Sequence, residues 1–135
     1  MLFRSYPTQA EKGSLYNTPN SFGIYVLGLV AEWVRGQGSL ADMAERNAAR
    51  AGRLYAAIDE DPRFSGHAEP SSRSHMNVTF RMESPEAEAA FLETAGASGF
   101  IGLKGHRSVG GLRASIYNAV PDAALDALIS LLRAS

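Results

Sequence analysis

The sequence contains no cysteine, which excludes disulfide bonds and thiolate-bound metals and fits a cytoplasmic protein. Lysine is nearly absent. Lys12 and Lys104 are the only two in 135 residues, so chemistry that starts from a lysine amine has two places to start. Long apolar runs are missing too. The best candidate, Phe22 to Val34, is interrupted by Gly23, Gly28 and Glu32, and a bilayer span takes about 18 apolar residues or more. No basic stretch followed by an apolar core stands at the N-terminus, the pattern of a secretory signal. Charge of either sign is not in excess. A formal net charge of −1 gives no reason to expect nucleic acid, whose binders cluster cations on one face. Internal repeats and low-complexity segments are also lacking.

What remains is ordinary globular material, 45% apolar and 20% charged, enough for one domain with one core. Residues 1–16 read as irregular, with Pro7 and Gly13 as punctuation. Met1-Leu2-Phe3-Arg4-Ser5 has neither helical nor strand period. Leu-Phe-Arg-Ser is also what CTC TTC CGA TCT encodes, the end of a common sequencing adapter. Residues 1–5 are therefore read as an assembly artefact or as a short disordered tail.

From residue 17 to 135 the chain reads as one domain. Thr18 is expected to cap a helix with Pro19 in its first turn. Phe22, Val26, Leu29, Val30 and Trp33 follow at helical spacing, with Trp33 expected in the core, and Gly36 and Gly38 end the helix. Ser39 opens a second helix whose stripe is Leu40, Met43, Asn47, Ala51, Leu54 and Ile58. Arg46, Arg50 and Arg53 are expected to face solvent. Pro62 stops it, and 62–74 read as loop.

Met76, Val78, Phe80 and Met82 alternate with polar residues, which predicts a half-buried strand. Ser84-Pro85 opens a third helix, closed by Gly96 and Gly99. Phe100 to Leu103 reads as a short strand. Leu112, Ala114 and Ile116 predict another, and Pro121 opens a last helix with Leu125, Leu128, Ile129 and Leu132. The expectation is an α+β fold, with long helices packed on one face of a small, mainly antiparallel sheet.

The densest polar cluster runs from Lys104 to Arg113. Glycines at 105, 110 and 111 let the backbone turn sharply and approach a ligand closely. Arg107 and Arg113 offer planar forks for carboxylate or phosphate. His106 can donate to the same anion. A solvated basic turn has the same composition. Arg113 is the sharper feature, because it alternates with Leu112 and Ala114 and so points off the buried face of a strand. Asn17-Thr18 is the second candidate, since a helix N-terminus suits phosphate. From the residues alone, plain helix capping is the favoured reading. His67 and His75 have no partner at metal-ligand spacing, so no metal site is expected.

Three stretches carry a resemblance. They are Ser14-Leu15-Tyr16-Asn17-Thr18-Pro19 with Phe22, Tyr25, Gly28-Leu29-Val30 and Trp33; Arg73-Ser74 with Met76-Asn77-Val78 and Phe80; and Gly102-Leu103-Lys104-Gly105-His106-Arg107-Ser108-Val109-Gly110-Gly111, then Arg113-Ala114-Ser115-Ile116-Tyr117-Asn118-Ala119. From about residue 13 onward the chain resembles the C-terminal portion of the phosphoserine aminotransferases, fold type I, class V enzymes that use pyridoxal phosphate. It departs from the usual family pattern at Asn20, His75 and Thr79.

The resemblance implies an exchange of an amino group, making phosphoserine and 2-oxoglutarate from 3-phosphohydroxypyruvate and glutamate, a step of serine biosynthesis. It implies a homodimer in which Asn17 and Thr18 reach the partner subunit's cofactor phosphate. It gives His106 and Arg107 to the substrate's phosphate or distal carboxylate, and Arg113 to its α-carboxylate. The family's Schiff-base lysine follows a glutamine, and no Gln-Lys pair occurs here. The expectation is a fragment without catalytic residues, inactive alone, whose apolar first helix needs a large-domain partner and otherwise drives association. A stand-alone anion-binding or dimerisation module derived from such a domain is the competing reading.

Overall fold

The structure, a computed structural model, describes residues 5–134. Residues 1–4, most of the stretch read as an artefact, lie outside the described residues. The chain divides into two compact units, Met1–Leu40 and Ala41–Ser135.

In the first unit, a short helix α1 spans Tyr6–Glu11 where an irregular segment was expected. Ser5 Oγ accepts the Thr8 N–H at 3.4 Å, and Pro7 sits in the first turn. These are helix-start signals, but six residues without an apolar stripe leave no period to read. Helix α2 spans Ser21–Gly36. Its cap is Asn20 rather than Thr18, with Asn20 Oδ1 accepting the Gly23 N–H at 3.0 Å. Asparagine caps better than threonine, and Pro19 then lies outside the helix, its carbonyl accepting the Ser21 N–H. None of the residues of α2 is buried. Trp33, expected in the core, is 39% exposed.

The second unit holds the core. Helix α3, Leu40–Asp59, buries Met43, Asn47, Ala51, Leu54 and Ile58 as the stripe predicts, while Leu40 is exposed. Arg50 corrects the solvent expectation, at 3% exposed. It lies three residues after Asn47 and four before Leu54, which puts it on the buried face. Strand β1, Phe64–Gly66, and a 3-10 turn at Pro70–Ser72 occupy part of the predicted loop. Strand β2, Asn77–Met82, is as expected. Helix α4, Pro85–Ala97, starts on Ser84, whose Oγ accepts the Ala87 N–H at 3.1 Å.

Residues 100–103 form no strand. Gly99 and Gly102, at φ +87° and +77°, bend the backbone out of extended conformation on both sides of Phe100-Ile101. The third strand of the sheet is β1 instead. Strand β3, Leu112–Ser115, and helix α5, Asp122–Ala134, complete the unit.

The sheet is antiparallel in the order β1-β2-β3. Phe64, Val78, Phe80, Leu112 and Ala114 share one buried cluster with Leu54 and Ile58 of α3, Phe91 and Ala95 of α4, and Leu125, Ile129 and Leu132 of α5. The helices therefore cover one face of the sheet, as expected of this α+β layout.

An acid-sensitive contact closes the end of this core. The Arg63 guanidinium and its backbone N–H both donate to Asp61, and Arg63 also donates to the Leu132 carbonyl at 2.9 Å. These bonds hold the Asp61 carboxyl at a pKa of about 2, below the ordinary 3.8. Arg73 likewise depresses Asp59. A depressed carboxylate adds stability that is complete above its unfolded pKa and lost as pH falls through the folded one. Urea unfolding followed from pH 3.8 down to about 2 is expected to show stability falling, and Asp61→Asn is expected to flatten that stretch of the curve.

Candidate functional site

Alternation along β2 and β3 sends Val78, Phe80, Leu112 and Ala114 into the core and turns Asn77, Thr79, Arg81, Arg113 and Ser115 to the opposite face. The register pairs Thr79 with Arg113 and Asn77 with Ser115. Ser115 Oγ and the Tyr117 hydroxyl both donate to Asn77 Oδ1, at 3.1 and 3.2 Å. The His67 N–H donates to the Thr79 carbonyl at 3.1 Å, which continues the β1–β2 ladder by one residue.

The segment 104–111 arches over this face and is tied at both ends. The Gly105 N–H donates to the Gly111 carbonyl at 2.8 Å, and the Arg113 N–H to the Leu103 carbonyl at 2.7 Å. Gly110 and Gly111 adopt φ +78° and +70°, the left-handed region that glycine enters freely. A Cβ at Gly105 would collide with the Gly110 carbonyl oxygen. Arg81 Nη2 donates to the Val109 carbonyl at 2.5 Å and moors the arch to β2.

Within the arch, His106 Nδ1 lies 2.7 Å from Ser108 Oγ and 3.3 Å from the Ser108 backbone nitrogen. A backbone N–H only donates, so Nδ1 accepts and the neutral ring carries its proton on Nε2. That leaves Nε2–H to donate to a ligand.

His67, Thr79, Arg81, His106 and Arg113 border one cavity of about 210 Å³. The Arg113 Nε is buried and has no hydrogen-bond partner among the described residues. A buried guanidinium N–H without an acceptor is costly. Arg107 does not border that cavity. It borders a neighbouring one with Glu88, Leu92, Lys104 and His106. The structure thus brings His106 and Arg113 together, and His106 stands between the two cavities.

Asn17 and Thr18 belong to the first unit. Both are exposed, both precede the α2 cap, and neither side chain makes a hydrogen bond among the described residues. Lys104 is exposed beside the arch, and Lys12 is exposed after α1. Among the described residues no group of three or more His, Asp or Glu side chains is set to hold a metal ion. Likewise no described helix is long and apolar enough to cross a membrane.

Sequence reasoning weighed His67 only as a metal ligand, noted Thr79 only as a departure from the family pattern, and did not name Arg81. Thr79 and Arg81 were legible as the polar alternates of β2. His67 needed the strand register, because its segment reads as loop.

Residues 2–128 match the family described as aminotransferase class-V. The chain is 52% identical over 130 residues to the phosphoserine aminotransferase of Shouchella clausii, covering 96% of this chain and 36% of that protein. It is 56% identical over 128 residues to the one from Geobacillus kaustophilus, covering 94% and 36%. Among solved structures, phosphoserine aminotransferase from Bacillus circulans subsp. alkalophilus superposes with a TM-score of 0.89 at 46% identity, covering 96% of this chain and 36% of that one. The pyridoxal-phosphate-bound enzyme from Trichomonas vaginalis superposes at 0.86 with 37% identity, covering 95% and 37%. The chain therefore spans about 36% of the length of the curated relatives it matches. With its helix-backed antiparallel sheet, its glycine-hinged arch and this match over nearly its whole length, the chain belongs to the class-V aminotransferase family.

Proposed function

We propose that the chain is the substrate-clamping C-terminal portion of a phosphoserine aminotransferase. The reaction is the conversion of 3-phosphohydroxypyruvate and glutamate to phosphoserine and 2-oxoglutarate, carried out by a cytoplasmic homodimer. Arg113 takes the α-carboxylate. His106 and Arg107 take the phosphate or distal carboxylate. Asn17 and Thr18 reach the cofactor phosphate of the partner subunit.

The single observation that carries this reading is half-buried Arg113 on a paired strand, with a buried Nε that has no partner among the described residues, bordering a cavity shared with His106. A substrate with an anion at each end needs two cationic grips, and Arg107 supplies the second from the adjoining cavity. A site built on a strand holds its geometry better than one on a loop.

The residues present do not make a whole pyridoxal phosphate seat. No lysine borders the Arg113 cavity, and its one aromatic, Phe80, is fully buried in the core. No catalytic step is therefore derived from this chain, whose part is to bind and orient the substrate's anions. Calorimetric titration of the folded chain with phosphoserine tests this. Arg113→Ala is expected to weaken binding roughly 30-fold or more, the effect of about 2 kcal/mol from removing one partner of a desolvated charge pair. Absence of binding to the unsubstituted chain favours a dimerisation module without ligand. Transamination by the chain alone would overturn its assignment as clamp without catalyst.

A further inference from the structure

Arg113 does not stand alone on its face of the sheet. The register that pairs Thr79 with Arg113 also sets His67 opposite Thr79, through the His67 N–H bond to the Thr79 carbonyl. Residues directly opposite one another in antiparallel strands project to the same face, with Cβ atoms about 5 Å apart. His67, Thr79 and Arg113 therefore form one row across the three strands, about 10 Å from end to end, and all three border the same cavity.

The three side chains share a second property. None makes a side-chain hydrogen bond among the described residues. Elsewhere on this face Asn77 is bonded to Ser115 and Tyr117, and Arg81 to Val109. The unengaged hydroxyl and imidazole thus sit in line with the unengaged guanidinium, on backbone that two ladders hold rigid.

We propose that His67, Thr79 and Arg113 form a single carboxylate-binding row, in which the Thr79 hydroxyl donates to the carboxylate that Arg113 grips and His67 donates to its outer side. The inference rests on the reading of Arg113 as the anion grip and extends it to two further binding residues. A guanidinium fork satisfies a carboxylate along one edge. Oxygen lone pairs on the side toward β2 and β1 remain, and the row places donors there. Thr79 thereby fixes the orientation of the carboxylate as well as its affinity.

The test is calorimetric titration of the full chain and its variants with phosphoserine, with circular dichroism confirming that each variant is folded. Thr79→Val keeps the β-branched shape and removes the hydroxyl. It is expected to weaken binding about tenfold, as loss of one hydrogen bond to a charged group does. Thr79→Ser returns the hydroxyl and is expected to restore affinity close to that of the unsubstituted chain. His67→Leu is expected to weaken binding several-fold. Unchanged affinity in Thr79→Val or in His67→Leu overturns the row while leaving Arg113 as the grip. Loss in both Thr79→Val and Thr79→Ser also overturns it, because packing rather than the hydroxyl would then matter. No binding to the unsubstituted chain overturns the row and the reading beneath it together.

Discussion

Replacing Arg50 with methionine is expected to destabilise the second unit by about 1–3 kcal/mol, the cost of leaving a buried polar group without its partner. Arg50 is 3% exposed. Its Nη1 donates to the carbonyls of Ile116 and Tyr117, and its Nη2 to that of Val120 at 2.6 Å. Its Nε pairs with Asp122 at 2.9 Å. One side chain thus pins the whole connection from β3 to α5. Asn47, one turn earlier, holds the Asn118 side chain at 2.8 Å.

Methionine would fill the space of the stem and leave those carbonyls without a donor. Each buried, unsatisfied group costs about 1–3 kcal/mol. The connection can open locally to let water in, which limits the loss. Lysine keeps the charge, but one ammonium cannot span three carbonyls and a carboxylate as a planar fork does. Arg50→Lys is therefore expected to fall between. The measurement is the urea midpoint at unchanged slope. A shift no larger than that of Arg53→Met, at an exposed position of α3, would show that the network carries little. Domains are stable by about 5–15 kcal/mol in all, so a loss of this size consumes a large share.

Arg50 also marks where sequence reading stops. Its carbonyl partners lie 66 to 70 residues away, and no local period announces a set of carbonyls waiting for a guanidinium. Elements with local signals were legible: β2 from its alternation, α4 from Ser84-Pro85, α5 from Pro121 and its Leu125-Leu128-Ile129-Leu132 stripe. Strand β1 was not, because three residues carry no alternation and it exists by pairing with β2. The apolar run at 100–103 looked like a strand until the positive φ of Gly99 and Gly102 broke its extension.

The site divides in the same way. Arg113 was readable from its place between Leu112 and Ala114, and the arch from its glycines. That Arg107 borders a different cavity from Arg113 follows from the fold of the arch, and that His67 lies opposite Thr79 follows from the register. The helix cap moved from Thr18 to Asn20 because two capping residues stand either side of Pro19: the proline suggested the earlier start, and asparagine is the better cap.

The chain is expected to self-associate through α2. Phe22, Ile24, Tyr25 and Leu27 are 76, 62, 64 and 67% exposed, and Val26, Leu29, Val30 and Trp33 between 39 and 50%. These positions fall on every side of the helix, so no rotation about its axis hides them. Contiguous apolar surface beyond a few hundred Å² marks a contact surface or an aggregation site. The association is driven by apolar burial rather than by charge, so added salt is expected not to dissolve it. Light scattering at micromolar concentration is the measurement. Ile24→Glu combined with Leu27→Glu is expected to shift the chain toward monomer, since two charges on so apolar a helix make burial of that surface costly. The core of the second unit contains neither residue, so its unfolding transition should survive the change. A clean monomer from the unsubstituted chain would show that the exposed face of α2 does not drive contact between copies.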